Sequence, residues 1–450
     1  MTWIYFWILV GGLSVTLAVT MFKPEKIYEY PYFMAAVFAV FIVPQVVSLI
    51  RFPGAAGEEA IENVLLMTCL CFGACWVGYR RPPVRSLQQT LTQPINRDRL
   101  FLGGLAFIAI SFFFNFLISQ MTPEETGGST WTGKVTIYGF FADLIYPGFA
   151  IALSTALRTN GLFAWLAAAV GAIIPLQAAI FSGRRENTVQ FVLTLALTLY
   201  YQKKIKPQRL AIILSVMFAM LAIPATGTYR SIAAERDWSE VKQIDLVGNF
   251  ERYLNSESIL ELRNAALIIE VTRVSDDYEY GAGYWDQLVF RFVPAQLLGK
   301  GFKDSLMFKS SDERVQNELS NLGYDLPGGS TVTGMADSFQ QFGWFGCLFF
   351  AALGLLFKTL FRATLQPNAT FAQLFYILIG TSAMRAVTHQ TIDFLPGLVY
   401  YIIFLGLLFL YARVPRTRPK KRRRNRETQE LQPNNAVPPE EPQARPEFPA

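Results

Sequence analysis

The segment Phe181-Ser182-Gly183-Arg184-Arg185-Glu186-Asn187 places two adjacent guanidinium groups beside a carboxylate, between two apolar runs. Arginine suits phosphate because its planar fork gives bidentate hydrogen bonds and keeps its charge at any relevant pH. A basic pair at a helix end also serves to snorkel towards lipid phosphate, here with Glu186 as a local partner. More arginines follow: Arg230 and Arg236 after the next apolar run, Arg273 and Arg291 further on, and Arg385. Arg385 lies four residues before His389, so the two share a helix face, and Asp393 follows. Together these residues predict a cationic cavity, and a lipid-linked diphosphate is the ligand whose headgroup and tail fit a charged site at a membrane surface. A reacting hydroxyl there needs a proton acceptor, and Glu186, Asp337 and His389 are the candidates. Tyr278, Tyr280, Tyr284 and Trp285 offer flat faces for sugar rings, or an interfacial aromatic belt.

Other chemistries lack their residues. There is no phosphate-binding loop, complete GxGxxG, HExxH or Asp-x-Asp, and Gly281-Ala282-Gly283 alone does not make a dinucleotide site. A single histidine argues against a haem chain or a histidine metal cluster. Cys69, Cys71, Cys75 and Cys347 all lie in apolar runs and read as small buried hydrophobes rather than a disulfide framework. No metal or cofactor is expected. A substrate that reacts here must arrive already activated.

The elements that position these groups are membrane spans. Of 450 residues, 52% are hydrophobic and only 16% charged, against roughly 25% charged in soluble domains. This excludes an ordinary soluble enzyme, a disordered chain and a nucleic-acid-binding domain. About eleven apolar segments reach helix-spanning length, near 3–22, 31–50, 61–79, 100–120, 135–157, 161–181, 187–202, 208–224, 341–361, 370–388 and 391–412. The first reads as a retained span, because it lacks a basic leader region and a cleavage site. Lys and Arg crowd the connections after the third and seventh spans and the tail after the eleventh. Basic connections mark the cytoplasmic side, so the N-terminus is expected outside and the C-terminus in the cytoplasm. The Arg184-Arg185 turn then faces outward, against the usual bias.

The expected organisation is four-part: residues 1–224 with eight transmembrane helices, an extracytoplasmic helical loop over 225–340, three more spans over 341–412, and a disordered tail over 413–450. The loop carries eleven basic and seventeen acidic residues from Ala225 to Met335. Its periodicity predicts amphipathic helices over 240–254, 257–274 and 311–322, the last capped by Ser311. The tail is first basic, then rich in Pro and Glu. Its basic run reads as a stop-transfer anchor at membrane lipid, with no nucleic acid as partner.

Tyr278-Glu279-Tyr280-Gly281-Ala282-Gly283-Tyr284-Trp285, then Phe292-Val293-Pro294 and Lys300, resembles a loop motif of bacterial O-antigen polymerase–type proteins, the oligosaccharide repeat-unit polymerases. Gly328 to Phe339, then Phe342-Gly343-Trp344-Phe345-Gly346, resembles the stretch by which such proteins re-enter the membrane. The Ser182-Gly183-Arg184-Arg185 turn and the one large outer loop fit as well. Where these proteins often carry arginine after the proline, this chain has Ala295, which leaves Arg291 or Lys300 to supply the charge. The resemblance implies an all-α, GT-C-like polytopic glycosyltransferase of the bacterial inner membrane. It implies a growing glycan moved from undecaprenyl diphosphate to the next repeat unit, with a chain-length regulator and a flippase as partners. Arg184, Arg185 and Arg385 are then expected to bind the diphosphate, with Arg230, Arg273, Arg291 and Lys300 in support.

Two other readings share some of these features. An O-antigen-ligase-like transferase has the same topology and arginines. A transporter or flippase of lipid-linked sugar predicts repeated halves and mid-membrane polar groups, whereas the sequence shows no internal repeat and few mid-span charges.

Overall fold

The computed structural model describes residues 1–122, 134–183, 185–255, 261–308, 312–321, 323–327 and 330–414. Arg184, Ser311, the Gly328-Gly329 pair and the tail from residue 415 lie outside the described residues. The chain from Met1 to Arg413 forms one compact unit, which includes the expected outer loop. The described residues are helical, with no strand and one isolated antiparallel bridge between Ile95 and Arg413.

The first half contains α1 (Thr2–Phe22), α2 (Tyr30–Arg51), α3 (Glu58–Arg80), α4 (Arg85–Leu91), α5 (Arg97–Ser119), α6 (Lys134–Thr159), α7 (Leu162–Phe181) and α8 (Arg185–Lys203). Then come α9 (Arg209–Ala222), α10 (Thr226–Glu235), α11 (Leu246–Leu254), α12 (Glu261–Ser275), α13 (Ala282–Phe292), α14 (Ala295–Leu298), α15 (Lys300–Leu306) and α16 (Asp312–Asn321). The last four are α17 (Thr333–Phe342), α18 (Cys347–Thr364), α19 (Thr370–Thr388) and α20 (Phe394–Ala412).

Nine helices among the described residues are long and apolar enough to cross a membrane, if α17 and α18 count as one continuous span and α20 is taken from Thr391. The protein is polytopic and all-helical in that sense, because hydrocarbon offers no partner to a free backbone amide. The seventh and eighth expected segments depart from the simple pattern. At 19 residues α8 is long enough, but it buries Gln190, Thr194, Thr198 and Tyr201 and falls outside the nine. The straight part of α9 has 14 residues, and α10 continues it after a 73° bend. The bend falls at Pro224, whose missing N–H and ring break the helical ladder. The ninth segment, expected from residue 341, is helical from Thr333.

Polar contacts join helix ends in two groups. Asn96 N–H donates to Ala412 O at 2.7 Å, Lys206 meets Glu25 at 3.5 Å and Val84 N–H donates to Thr359 Oγ1 at 3.1 Å. At the opposite ends of these helices, Arg51 reaches Asn255, Arg273 reaches Glu59 and Arg385 reaches Glu186.

The expected amphipathic helix over 257–274 is α12, and it is buried on all faces from Leu262 to Ile269. Arg263 is 4% exposed and donates from Nη2 to Phe52 O at 2.8 Å. Asn264 donates to Ser330 Oγ at 2.9 Å and accepts from Tyr324 at 2.6 Å. Long-range partners for its polar residues allow this helix to pack among α2, α3 and α17 instead of lying on the surface. Against it, α17 approaches α19 closely. A Cβ added at Gly334 would stand 1.7 Å from Ala386 O, so only glycine fits.

Candidate functional site

The site is built at the α7–α8 turn, the middle of α2, the helix α10, the start of α12 and the end of α19. Gly183 adopts φ +58°, a left-handed conformation that glycine takes without steric cost. Its carbonyl accepts from Arg230 Nε at 3.1 Å, while Tyr229 donates to Ile180 O at 2.7 Å. The bent helix α10 thus covers the turn. A π turn at Phe38–Ile42 inside α2, just ahead of Pro44, carries Phe41. The Arg185 guanidinium lies 5.7 Å from that ring centre and 3.8 Å from Glu261.

Arg385 links the rest. Its Nη1 is 3.3 Å from Glu186 and its Nη2 3.7 Å from Asp393, while its buried Nε has no hydrogen-bond partner among the described residues. Asp393 also accepts from Gln287 at 3.2 Å. Arg291 donates to Asp143 at 3.4 Å.

The turn carrying Asp393 is held from behind. Asp337 is 3% exposed and accepts from Ile392 N–H at 3.0 Å and from the Thr391 hydroxyl. Tyr284 OH is 2.8 Å from Thr391 Oγ1. With the Thr391 proton directed to Asp337, Tyr284 is the donor in that pair. Asp337→Ala leaves the Ile392 amide and the Thr391 hydroxyl without their acceptor. The expected loss is about 2–6 kcal/mol, from roughly 1–3 kcal/mol for each of the two buried unsatisfied groups. Thermal unfolding in detergent measures it, and an unchanged midpoint would remove this anchoring role.

Three cavities meet here. The largest, about 980 Å³, is lined by Arg185, Glu186, Arg230, Glu261, Arg385, His389 and Asp393 among others. A second, about 420 Å³ and mostly apolar, runs between α2, α8 and α9 from His389 and Arg185 to Tyr28 and Pro207. It follows α9 from Ala211 to Ile223, about 18 Å at 1.5 Å per residue. A third, about 150 Å³ and polar, lies beyond Arg385 and holds Asp143, Gln190 and Arg291. Glu186 lines all three.

No protein-family model, curated protein or solved structure matches this chain. The site is therefore read from its own chemistry.

Of the residues expected from sequence, Arg185, Glu186, Arg230, Arg385 and His389 line the largest cavity, and Arg291 lines the small polar one. Arg184 lies outside the described residues. The others are elsewhere. Arg273 is taken by Glu59 at 2.7 Å and Glu270 at 3.0 Å. Lys300 is exposed at the start of α15. The Tyr284 ring stacks on Phe349 at 5.4 Å and is buried, so it offers no face to a sugar. Trp285 donates to Leu306 O at 2.8 Å. Asp337 lines none of the three cavities and acts as the anchor described above. Nor is the largest cavity purely cationic, since three carboxylates face its three arginines. The arginine–carboxylate gaps of 3.3–3.8 Å are ion-pair rather than short hydrogen-bond distances.

Sequence reasoning missed Asp143, Gln190, Gln287 and Glu261. Asp143 had a signal, a lone carboxylate inside an apolar span. Gln287 had none.

Proposed function

We propose that this protein is a membrane glycosyltransferase that polymerises lipid-linked oligosaccharide repeat units. The growing glycan leaves undecaprenyl diphosphate and joins the non-reducing-end sugar of the next unit at the outer face of the bacterial inner membrane. The observation that carries the reading is the junction of the charged cavity with the apolar groove at Phe41, Arg185, Glu186, Thr388 and His389. An amphiphile with an anionic head and a long hydrocarbon tail is the ligand that such a junction suits. The choice of polymerase within that class comes from the resemblance at residues 278–300 and 328–346. The proposed topology has eleven spans, with α8 and the bent α9–α10 pair included, the N-terminus outside and the C-terminus cytoplasmic.

In the proposed reaction the acceptor hydroxyl attacks the anomeric carbon, the bond from that carbon to phosphate oxygen breaks, and the carrier diphosphate departs with the bonding electron pair. Arg185, Arg230 and Arg385 stabilise the charge that develops on it. The Arg385 guanidinium lines the charged cavity, at 3.3 Å from Glu186 and 3.7 Å from Asp393. His389 accepts the hydroxyl proton. Thr388 OH donates to Met384 O at 3.2 Å, so its oxygen accepts from His389 Nδ1 at 2.9 Å. That leaves Nε2 as the basic nitrogen of a neutral ring.

Burial pushes the His389 pKa below the usual 6.5, with Arg385 and Arg185 acting in the same direction and Glu186 and Asp393 opposing. The active form is the neutral one. Activity is therefore expected to persist as pH falls through 6.5 and to be lost only on further acidification. His389→Gln removes that acid limb and lowers the rate by about 10²–10⁴-fold, the usual range for a general base. A full rate in this variant would exclude His389 from proton transfer.

The direct test is incubation of the purified protein with a defined lipid-linked repeat unit, without nucleotide or added metal, followed by sizing of the glycan. A ladder of multiples supports the proposal. Transfer to a different acceptor alone indicates a ligase, and no transfer rejects both.

A further inference from the structure

We propose that the small polar cavity is a binding subsite for the sugar ring carried by the lipid diphosphate, an inference that rests on the function proposed above. The cavity lies between α6, α8, α19 and α20, with Gln287 and Arg291 of α13 on one side. Its volume is about 150 Å³, roughly tenfold the 10–15 Å³ that one water molecule needs. That is room for a single hexose ring and little more.

The lining matches a polyol. Asn187, Gln190 and Gln287 present amides, and Ser382 and Tyr401 present hydroxyls. A sugar hydroxyl both donates and accepts, and each of these groups does the same. The charges select against a second phosphate. Arg291 and Arg385 stand against Asp143, Glu186 and Asp393, so the lining has one more negative than positive charge. An uncharged ring is not repelled by that excess, whereas an anion is.

Position supplies the rest of the argument. Asp143 belongs to a membrane-spanning helix, yet 52% of its side chain is accessible and it lines this cavity. Ionisable groups within such helices mark functional sites. The cavity shares Glu186, Gln287, Arg385 and Asp393 with the larger charged one. A group bonded directly to a diphosphate at that shared wall enters it without crossing the apolar groove. Tail, diphosphate and sugar thereby occupy three compartments with Glu186 at their junction.

The test compares two probes on the purified full chain in nanodiscs. One is undecaprenyl diphosphate, and the other is the undecaprenyl-diphosphate-linked repeat unit extracted from a host strain lacking the protein. The unmodified protein is expected to bind the sugar-bearing probe about tenfold more tightly, as one or two added hydrogen bonds give. Gln190→Leu removes most of that preference and leaves affinity for the bare carrier within about twofold. Asn187→Leu does the same and decides the matter if Gln190→Leu fails to fold. Equal binding of both probes by the unmodified protein overturns the subsite, as does an equal loss for both probes in the variants. Failure of the bare carrier to bind at all would instead reject the proposed function.

Discussion

Arg385→Ala is expected to reduce glycan polymerisation by about 10²–10³-fold, the loss that follows removal of one preorganised donor to a developing negative charge. This side chain is the cation that joins two acidic groups of the site. Its guanidinium holds Glu186 at 3.3 Å and Asp393 at 3.7 Å, and it lies on the wall between the two polar cavities. Alanine removes the cation and leaves two carboxylates facing each other without it. Arg385→Lys keeps the charge but loses the planar fork, so an intermediate rate is expected. Arg273→Ala serves as the comparison. That arginine pairs with Glu59 and Glu270 and lines none of the three cavities, and exposed pairs of this kind contribute about 0–1 kcal/mol. Sizing of the product with thermal unfolding in parallel separates lost chemistry from lost fold. A well-folded Arg385→Ala protein that polymerises normally would remove the diphosphate role.

Gly334→Val is expected to be the most damaging single change to the fold. The Cβ it introduces would stand 1.7 Å from Ala386 O, a backbone atom that no rotamer change can move. Overpacking commonly costs about 1–3 kcal/mol when side chains can adjust, and here α17 must leave α19. A loss of about 3 kcal/mol or more is expected on that scale. Because Asp337 sits one turn along α17 and Ala386 is next to Arg385, activity should fall with stability. Gly227→Val is the control, since a Cβ there meets nothing within 4 Å. Detergent thermal unfolding of the two variants gives the comparison, and equal midpoints would contradict this packing argument.

The apolar helices were legible because continuous hydrophobic runs of spanning length have few alternatives. The clustering of Arg185, Glu186, Arg385 and His389 was legible too, since each lies at the end of a run whose neighbours share that end. What escaped was pairing over distance. Asp143 and Arg291 are 148 residues apart, and no periodicity relates them. The buried face of α12 was misread because Arg263 and Asn264 look like surface residues until Phe52, Ser330 and Tyr324 are seen to satisfy them. Tyr284 was misread for a related reason. The sequence shows an aromatic ring within a stretch that resembles a polymerase loop motif, but it does not show that Phe349 already covers that ring.

The straight part of α9, 14 residues long, spans about 21 Å at 1.5 Å per residue. A bilayer core is about 30 Å thick. In the proposed eleven-span topology, lipids standing against this helix meet a hydrophobic wall too short for their chains, and the leaflets pinch inward there, at a cost of fractions of a kcal/mol per ångström of mismatch. Turnover should accordingly respond to the acyl-chain length of the host bilayer, rising in thinner membranes where that deformation has already been made.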